Sequence, residues 1–130
     1  ALSYVGIAAD ETQRIKNERY PPADWGITEK EALQICYDRG YDFGGLYQIY
    51  HRCSCWCCPL QGIGELRKLR QHHPELWERL QEMDKRALAQ FGSGPLGQFK
   101  KDWTVERLEQ RFAAETQQLS ISSLQKERER

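Results

Sequence analysis

The chain has 130 residues, and its 19 basic and 19 acidic side chains give a formal net charge of zero. This length suits one domain with a single core. Zero net charge excludes an overall field that would draw the protein to nucleic acid or to an anionic membrane. Because no apolar run approaches the roughly 20 residues that cross a bilayer, and no secretory signal opens the chain, we expect a cytoplasmic protein without a membrane partner.

The first half of the chain predicts one strand and one helix. Residues 4–8 are rich in β-forming side chains and predict a short strand. A lone strand cannot make a sheet, so we expect it to pair with another chain or a second copy, as in a homo-oligomer. Thr28 and Glu31 form a capping-box pattern at the start of a helix, and Gly40 is suited to its end.

The second half predicts helices. Pro74 is well placed in the first turn of a long helix that follows a shorter one, and Thr104 can cap a last helix with Val105, Leu108 and Phe112 on its inner face. We therefore expect a mostly α-helical chain with one or two short strands. Residues 119–130 read as a polar tail that frays.

Four of the five cysteines lie in "HRCSCWCCPLQ", residues 51–61. Cys55 and Cys58 form a Cys-x-x-Cys pair, a spacing that lets two thiolates converge on zinc or on an iron–sulfur cluster. Cys36 is expected to point to the buried side of its helix and to supply a third sulfur. Spacing leaves three candidates for the fourth position, of which we favour the first: Cys57, Cys53 and His51.

Other interpretations of this segment remain open. The cysteines fit equally well a buried loop packed around Trp56, with Cys36 as a small core residue. A redox-active dithiol is a further possibility, because a Cys-x-x-Cys pair can contain a thiol of lowered pKa. A structural disulfide is disfavoured by the expected reducing compartment and by the odd number of cysteines.

Several segments, taken in order, resemble the C-terminal half of the phosphoadenosine phosphosulfate reductase family, including its bacterial and prophage reductase-like or sulfotransferase-like members. The segments are "GIAADETQR", "YPPADWGITEKEAL", "GGLYQIYHR", "SCWCCPLQ" and "PELWERL". The resemblance implies that residues 1–118 are part of an α/β domain of the adenine nucleotide alpha hydrolase-like fold. Residues 4–8 would then be a late strand of its parallel sheet.

The resemblance also implies a ligand, an adenylated sulfate or ATP. Ligands of open parallel sheets bind beyond the carboxyl ends of the strands, where Asp10, Glu11 and Arg14 would lie. Arg14 matches a family arginine and is the candidate anion contact, because its planar guanidinium donates paired hydrogen bonds to phosphate or sulfate. The alternative is that Arg14 is solvated and pairs with Asp10 or Glu11.

In relatives that reduce adenylyl sulfate, a Cys-x-x-Cys and an upstream cysteine pair hold a four-iron (4Fe-4S) cluster. Cys55 and Cys58 match the first pair, but this chain has no upstream pair. It also lacks the family's phosphate-binding loop and its terminal nucleophilic cysteine, so no catalytic residue is assigned. We expect no reduction by this chain unless a missing N-terminal half or another chain completes it.

Two further functions stay open at this point. The cysteine-rich segment is also consistent with a zinc or iron–sulfur module that mediates protein interaction. Some relatives act in sulfur modification of DNA, and the short basic run "LRKLRQHH" gives that function slight support.

Overall fold

The structure is a computed structural model that describes residues 2–16, 18–94 and 96–128, with side chains as far as Ser120. It is mostly helical, as the sequence predicts. The chain divides into two compact units, Ala1–Leu46 and Tyr47–Arg130. The sequence predicts one core, whereas the folded chain forms two separate clusters of contacts.

The N-terminal unit contains short helical segments joined by irregular chain. In chain order these are a 3-10 turn at Thr12–Arg14, α1 at Pro21–Asp24, α2 at Glu29–Asp38 and a 3-10 turn at Phe43–Gly45, after which α3 at Leu46–Ile49 leads into the second unit. Ile7, Ala8 and Tyr20 are its buried apolar side chains.

The strand predicted at residues 4–8 is reduced to a single bridge within the described residues. Tyr4 forms an isolated parallel bridge with Arg19, in which the amide of Val5 donates to the carbonyl of Arg19 at 2.9 Å. Pairing stops there because the neighbouring segment turns into α1 at Pro21, and a proline has no amide hydrogen to donate. The predicted strand is therefore too long, although the segment does pair at one position, with Arg19 of the same chain.

Helix α2 begins as the sequence predicts. The Thr28 hydroxyl accepts from the amide of Glu31, and the Glu31 carboxylate accepts from the amide of Thr28 at 2.9 Å, so the capping box is complete. These bonds also lower the pKa of the Glu31 carboxyl, with the backbone contact to Thr28 as the main cause. Gly40 follows the helix with a φ of 84°, a left-handed conformation that glycine adopts without strain.

The C-terminal unit is built from three longer helices. They are α4 at Ile63–His72, α5 at Pro74–Phe91 and α6 at Val105–Arg128. Seven side chains form their shared core: Leu66, Leu69, Trp77, Leu80, Val105, Leu108 and Phe112. Pro74 occupies the first turn of α5, and the hydroxyl of Thr104 accepts from the amide of Arg107 at 3.2 Å, so both predicted helix starts are confirmed.

A buried aspartate ties α5 to the start of α6. Asp84 is only 5% exposed, and its carboxylate accepts from the amides of Val105 at 2.7 Å and Phe99 at 3.0 Å. The first amides of a helix have no partner inside the helix. Asp84 therefore supplies, from another helix, an acceptor that α6 lacks locally.

The helices are also joined by a carboxylate on α6. Glu109 accepts from Arg70 Nε at 2.8 Å and Nη2 at 2.7 Å, and from the indole nitrogen of Trp77 at 2.6 Å. One side chain thus links all three helices of the core.

Residues 119–130 were expected to form a fraying tail, but the backbone of α6 is helical as far as Arg128. Glu129 and Arg130 lie outside the described residues. None of the helices within residues 2–16, 18–94 and 96–128 combines the length and apolar character needed to cross a membrane.

Candidate functional site

Residues 51–61, here called the cysteine loop, connect α3 to α4 without forming a helix or strand. Cys53 and Cys55 are exposed, whereas Cys57 and Cys58 are half-buried. All four are free thiols, as is Cys36 in the N-terminal unit. The loop therefore presents reduced sulfur both at the surface and against the protein.

The loop is held by hydrogen bonds of its own. The amide of Cys58 donates to the carbonyl of Cys55 at 3.0 Å and closes a tight turn. The side-chain amide of Gln61 donates to the Ser54 hydroxyl at 2.8 Å and to the Cys55 carbonyl at 2.9 Å. Gln61 thus fixes the backbone on both sides of the turn that carries the cysteines.

Contacts with residues outside the cysteine loop also hold it in place. The ammonium group of Lys100 donates to the carbonyls of Pro59 and, at 2.7 Å, of Gln61. Trp56 and Cys57 pack against the core of the C-terminal unit, and the guanidinium of Arg79 lies 5.5 Å from the Trp56 ring centre. The loop is consequently anchored at its centre and at its exit.

The sulfurs of Cys55 and Cys57 lie 3.4 Å apart. The backbone amide of Cys57 and then its thiol donate toward Cys55, and these bonds lower the pKa of the Cys55 thiol. The pKa of the Cys57 thiol is raised, first by its hydrogen bond with Cys55 and then by burial. Cys55 therefore loses its proton more readily than Cys57.

The distance between the Cys55 and Cys57 sulfurs can be compared with the distance between two sulfur ligands of one metal ion. Two sulfurs on one tetrahedral zinc, each about 2.3 Å from the ion, lie about 3.8 Å apart. The Cys55 and Cys57 sulfurs would separate by only a few tenths of an ångström to meet that distance. In a four-iron cluster each cysteine binds its own iron, which requires wider spacing. The pair as it stands suits one shared ion better than two corners of a cluster.

Within the described residues, no three Cys, His, Asp or Glu side chains are grouped as a ready-made metal site. Cys36 belongs to the N-terminal unit, on the half-buried face of α2, so its convergence with Cys55 and Cys58 stays a prediction. The sequence singled out Cys55 and Cys58, whereas the structure brings Cys55 to Cys57.

The candidate anion contacts in the N-terminal unit are engaged with their neighbours. Arg14 Nη1 donates to Glu11 Oε1 at 2.6 Å in an exposed ion pair, and Asp10 accepts from the amide of Glu29 at 3.1 Å, next to the start of α2. The contact with Glu11 uses one of the five N–H donors of the guanidinium. Arg14 thus has the capacity to bind an anion while it keeps this pair.

Several buried polar atoms around the cysteine loop have no hydrogen-bond partner among the described residues. They are Tyr50 Oη, Gln61 Oε1, Glu65 Oε2 and His73 Nε2. The rings of Tyr50 and His73 stack with centres 6.0 Å apart. Burial, followed by the charge of Glu65, raises the pKa of Tyr50. Unsatisfied buried atoms are commonly completed by water or an ion.

Sequence reasoning assigned no role to Gln61 or Lys100. In the sequence, Gln61 is only the last residue of the cysteine-rich segment, and nothing there indicates that its side chain holds the backbone. Lys100 lies about forty positions from its acceptors, and no local pattern links the two.

Comparison of the chain with protein-family models, with curated proteins and with solved structures found no match.

Proposed function

We propose that the chain is the C-terminal part of a phosphoadenosine phosphosulfate reductase-like protein, and that its cysteine loop binds zinc or an iron–sulfur cluster. In this proposal the N-terminal unit contacts an adenylated sulfate or an adenine nucleotide through Arg14. Another segment or chain supplies the phosphate loop and the nucleophile that reduction requires. The likeness of its sequence segments to that family, in order, supports the assignment.

The Cys55–Cys57 sulfur pair carries the metal-binding part. A thiolate, not a thiol, is the metal ligand, and the lowered pKa of Cys55 favours that form. The turn and its anchors hold the two sulfurs close together before any ion arrives. Cys58, next in the chain and half-buried, is the nearest candidate in sequence for a third sulfur, and Cys36 for a fourth.

Metal and acid-labile sulfide analysis of the anaerobically purified full chain tests this part. We expect about one zinc per chain, or iron with an equal amount of sulfide and a brown colour. Cys55→Ser and Cys58→Ser should each lose most of the metal, whereas Leu60→Ala, a change at an exposed position of the same loop, should keep it. Equal metal content in all four proteins would contradict ligation by the loop.

Nucleotide binding is tested separately, with adenosine 5′-phosphosulfate titrated into the full chain. Arg14→Ala should weaken binding, because it removes the proposed anion contact. Arg39→Ala removes the same charge from an exposed position after α2 and should have no effect. Identical affinities of the two variants would remove Arg14 from the proposal without affecting the metal site.

A second function, a zinc module that mediates protein interaction, is favoured by one specific observation. The 3.4 Å separation of the sulfurs suits two ligands of a single ion. Zinc without sulfide, together with no binding of adenosine 5′-phosphosulfate, would select this function over the first.

A further inference from the structure

The Cys55–Cys57 sulfur pair has the geometry of a dithiol that can close into a disulfide. The two sulfurs lie 3.4 Å apart, and both cysteines are free thiols. Because a disulfide bond is about 2.05 Å long, the sulfurs need to approach by only about 1.4 Å to form one. Among the cysteines that the structure describes, no other two sulfurs are joined by a hydrogen bond.

The backbone on both sides of this pair is held in place. The carbonyl of Cys55 accepts from the amide of Cys58 at 3.0 Å and from the side-chain amide of Gln61 at 2.9 Å. Trp56 and Cys57 pack against the core of the C-terminal unit. The second sulfur therefore stays within reach of the first, which makes a reaction between them a step within one molecule.

The two thiols differ in their access to solvent. Cys55 is exposed, whereas Cys57 is half-buried. A reactant in solution can therefore reach the sulfur of Cys55. Cys57 is placed to attack that sulfur after Cys55 has reacted.

From this arrangement we infer that the metal-free cysteine loop is a site of thiol–disulfide exchange, with Cys55 as the attacking cysteine and Cys57 as the resolving cysteine. The substrate class is a disulfide that is small enough, or exposed enough, to reach Cys55. The pair differs from the one that the Cys-x-x-Cys spacing indicates, Cys55 and Cys58. The inference does not rest on the proposed function, because exchange uses the loop without a metal ion.

The exchange has two steps. In the first, the sulfur of Cys55 attacks one sulfur of the substrate, the substrate S–S bond breaks, and a mixed disulfide forms. The other substrate sulfur leaves as a thiol and takes up the proton that Cys55 loses. In the second, Cys57 attacks the sulfur of Cys55, and the rest of the substrate leaves as a thiol with the proton of Cys57. The cysteine pair loses two electrons, and the substrate disulfide gains them.

Oxidised glutathione, added without oxygen to the full chain after a chelator has removed any metal, tests the inference. Mass spectrometry of acid-quenched samples should show a disulfide between Cys55 and Cys57 and the release of two glutathione thiols for each disulfide formed. Cys57→Ser removes the resolving sulfur, so a mixed disulfide with glutathione should accumulate on Cys55. Closure of an internal disulfide should then be slower by about tenfold or more.

Two matched controls separate this pair from its neighbours. Cys53→Ser removes a thiol that lies two positions from Cys55 on the other side, and Cys58→Ser removes the second thiol of the Cys-x-x-Cys pair. Both variants should close the internal disulfide at the rate of the wild type. Circular dichroism should show the same helical content in all of these proteins.

An internal disulfide that forms equally fast in Cys57→Ser and in the wild type would overturn the inference. Wild-type protein that gains glutathione without closing a disulfide would do the same. Fragmentation of the wild-type peptide that places the bond between Cys55 and Cys58 would also overturn it, and this measurement needs no variant. Metal content is measured before the chelator is added, so its outcome is separate from that of the exchange.

Discussion

Cys55 and Cys57 place their sulfurs 3.4 Å apart in a loop that Gln61 and Lys100 anchor to the C-terminal unit. The two thiols are unequal, because hydrogen bonds from Cys57 stabilise a thiolate on Cys55. An exposed sulfur that loses its proton more readily than an ordinary thiol, beside a half-buried second sulfur, is suited to capture a thiophilic metal ion.

The first prediction concerns the reactivity of these thiols in metal-free protein. A lowered pKa means that Cys55 ionises at lower pH than an ordinary thiol, and a raised pKa means that Cys57 ionises at higher pH. Iodoacetamide should therefore alkylate Cys55 with a midpoint at lower pH than that of Cys57. Peptide mass spectrometry over a pH series gives both midpoints. A lower midpoint for Cys57 than for Cys55 would contradict this order, because it would show that Cys57 loses its proton first.

The second prediction concerns Lys100. Lys100→Met keeps most of the length of the side chain but removes the donor to the Pro59 and Gln61 carbonyls. Because groups that orient a metal-binding segment typically affect affinity about tenfold to 100-fold, we expect metal affinity to fall by about tenfold. Competition with a chelator measures it. Lys101→Met is the control, and a similar loss in both variants would indicate a general effect of charge.

The third prediction concerns Asp84. Asp84→Ala leaves the amides of Val105 and Phe99 without their acceptor in a buried position, so we expect a loss of about 2–3 kcal/mol in the free energy of unfolding. Urea denaturation followed by circular dichroism measures it. Glu78→Ala, at an exposed position of the same helix, should change stability by less than about 0.5 kcal/mol. If both variants unfold at the same urea concentration, Asp84 does not stabilise the start of α6.

The fourth prediction concerns Glu109 and pH. Hydrogen bonds from Arg70, the largest cause, and from Trp77 lower the pKa of this carboxyl. A carboxyl with a lowered folded pKa contributes stability that is present above its unfolded value of about 4.3 and is lost as pH falls through the folded value. Glu109→Gln should therefore reduce the free energy of unfolding by about 1–2 kcal/mol at pH 7, and the difference from wild type should shrink below about pH 4.

Urea unfolding at several pH values provides the measurement. Glu82→Gln is the matched control, because its partner Arg86 is 80% exposed and such pairs contribute about 0–1 kcal/mol. A pH-independent difference between wild type and Glu109→Gln would mean that the charge of Glu109 is not the source of its effect.

Features fixed by neighbours in sequence were predictable, and features fixed across the fold were not. The capping box of Thr28 and Glu31, Pro74 in the first turn of α5, and Thr104 before α6 depend on contacts within four residues. In α5, the charged side chain of Asp84 is buried, whereas that of the apolar Met83 beside it is 45% exposed. Asp84 is buried because its carboxylate accepts hydrogen bonds from the amides of Phe99 and Val105, 15 and 21 positions away. The hydrophobic periodicity of the helix cannot reveal such contacts.

The cysteine loop shows the same limit. Its motif identified the residues with metal-binding chemistry, and the Cys-x-x-Cys spacing directed attention to Cys55 and Cys58. Which sulfurs approach each other depends on the turn between Cys55 and Cys58 and on side-chain rotation, so the Cys55–Cys57 pair was not visible in the spacing. The length of the strand at residues 4–8 was overestimated because the segment that pairs with it, at Arg19, turns into α1 at Pro21. That limit comes from a tertiary contact and is not visible in residues 4–8 themselves.

X-ray absorption at the metal edge of the anaerobically purified full chain tests the central claim, metal binding by the cysteine loop, most directly. We predict a first shell dominated by sulfur at about 2.3 Å, with iron neighbours beyond it if a cluster is present, and a loss of sulfur scattering in Cys55→Ser. A first shell of oxygen and nitrogen alone, unchanged by Cys55→Ser, would contradict metal binding by the cysteine loop.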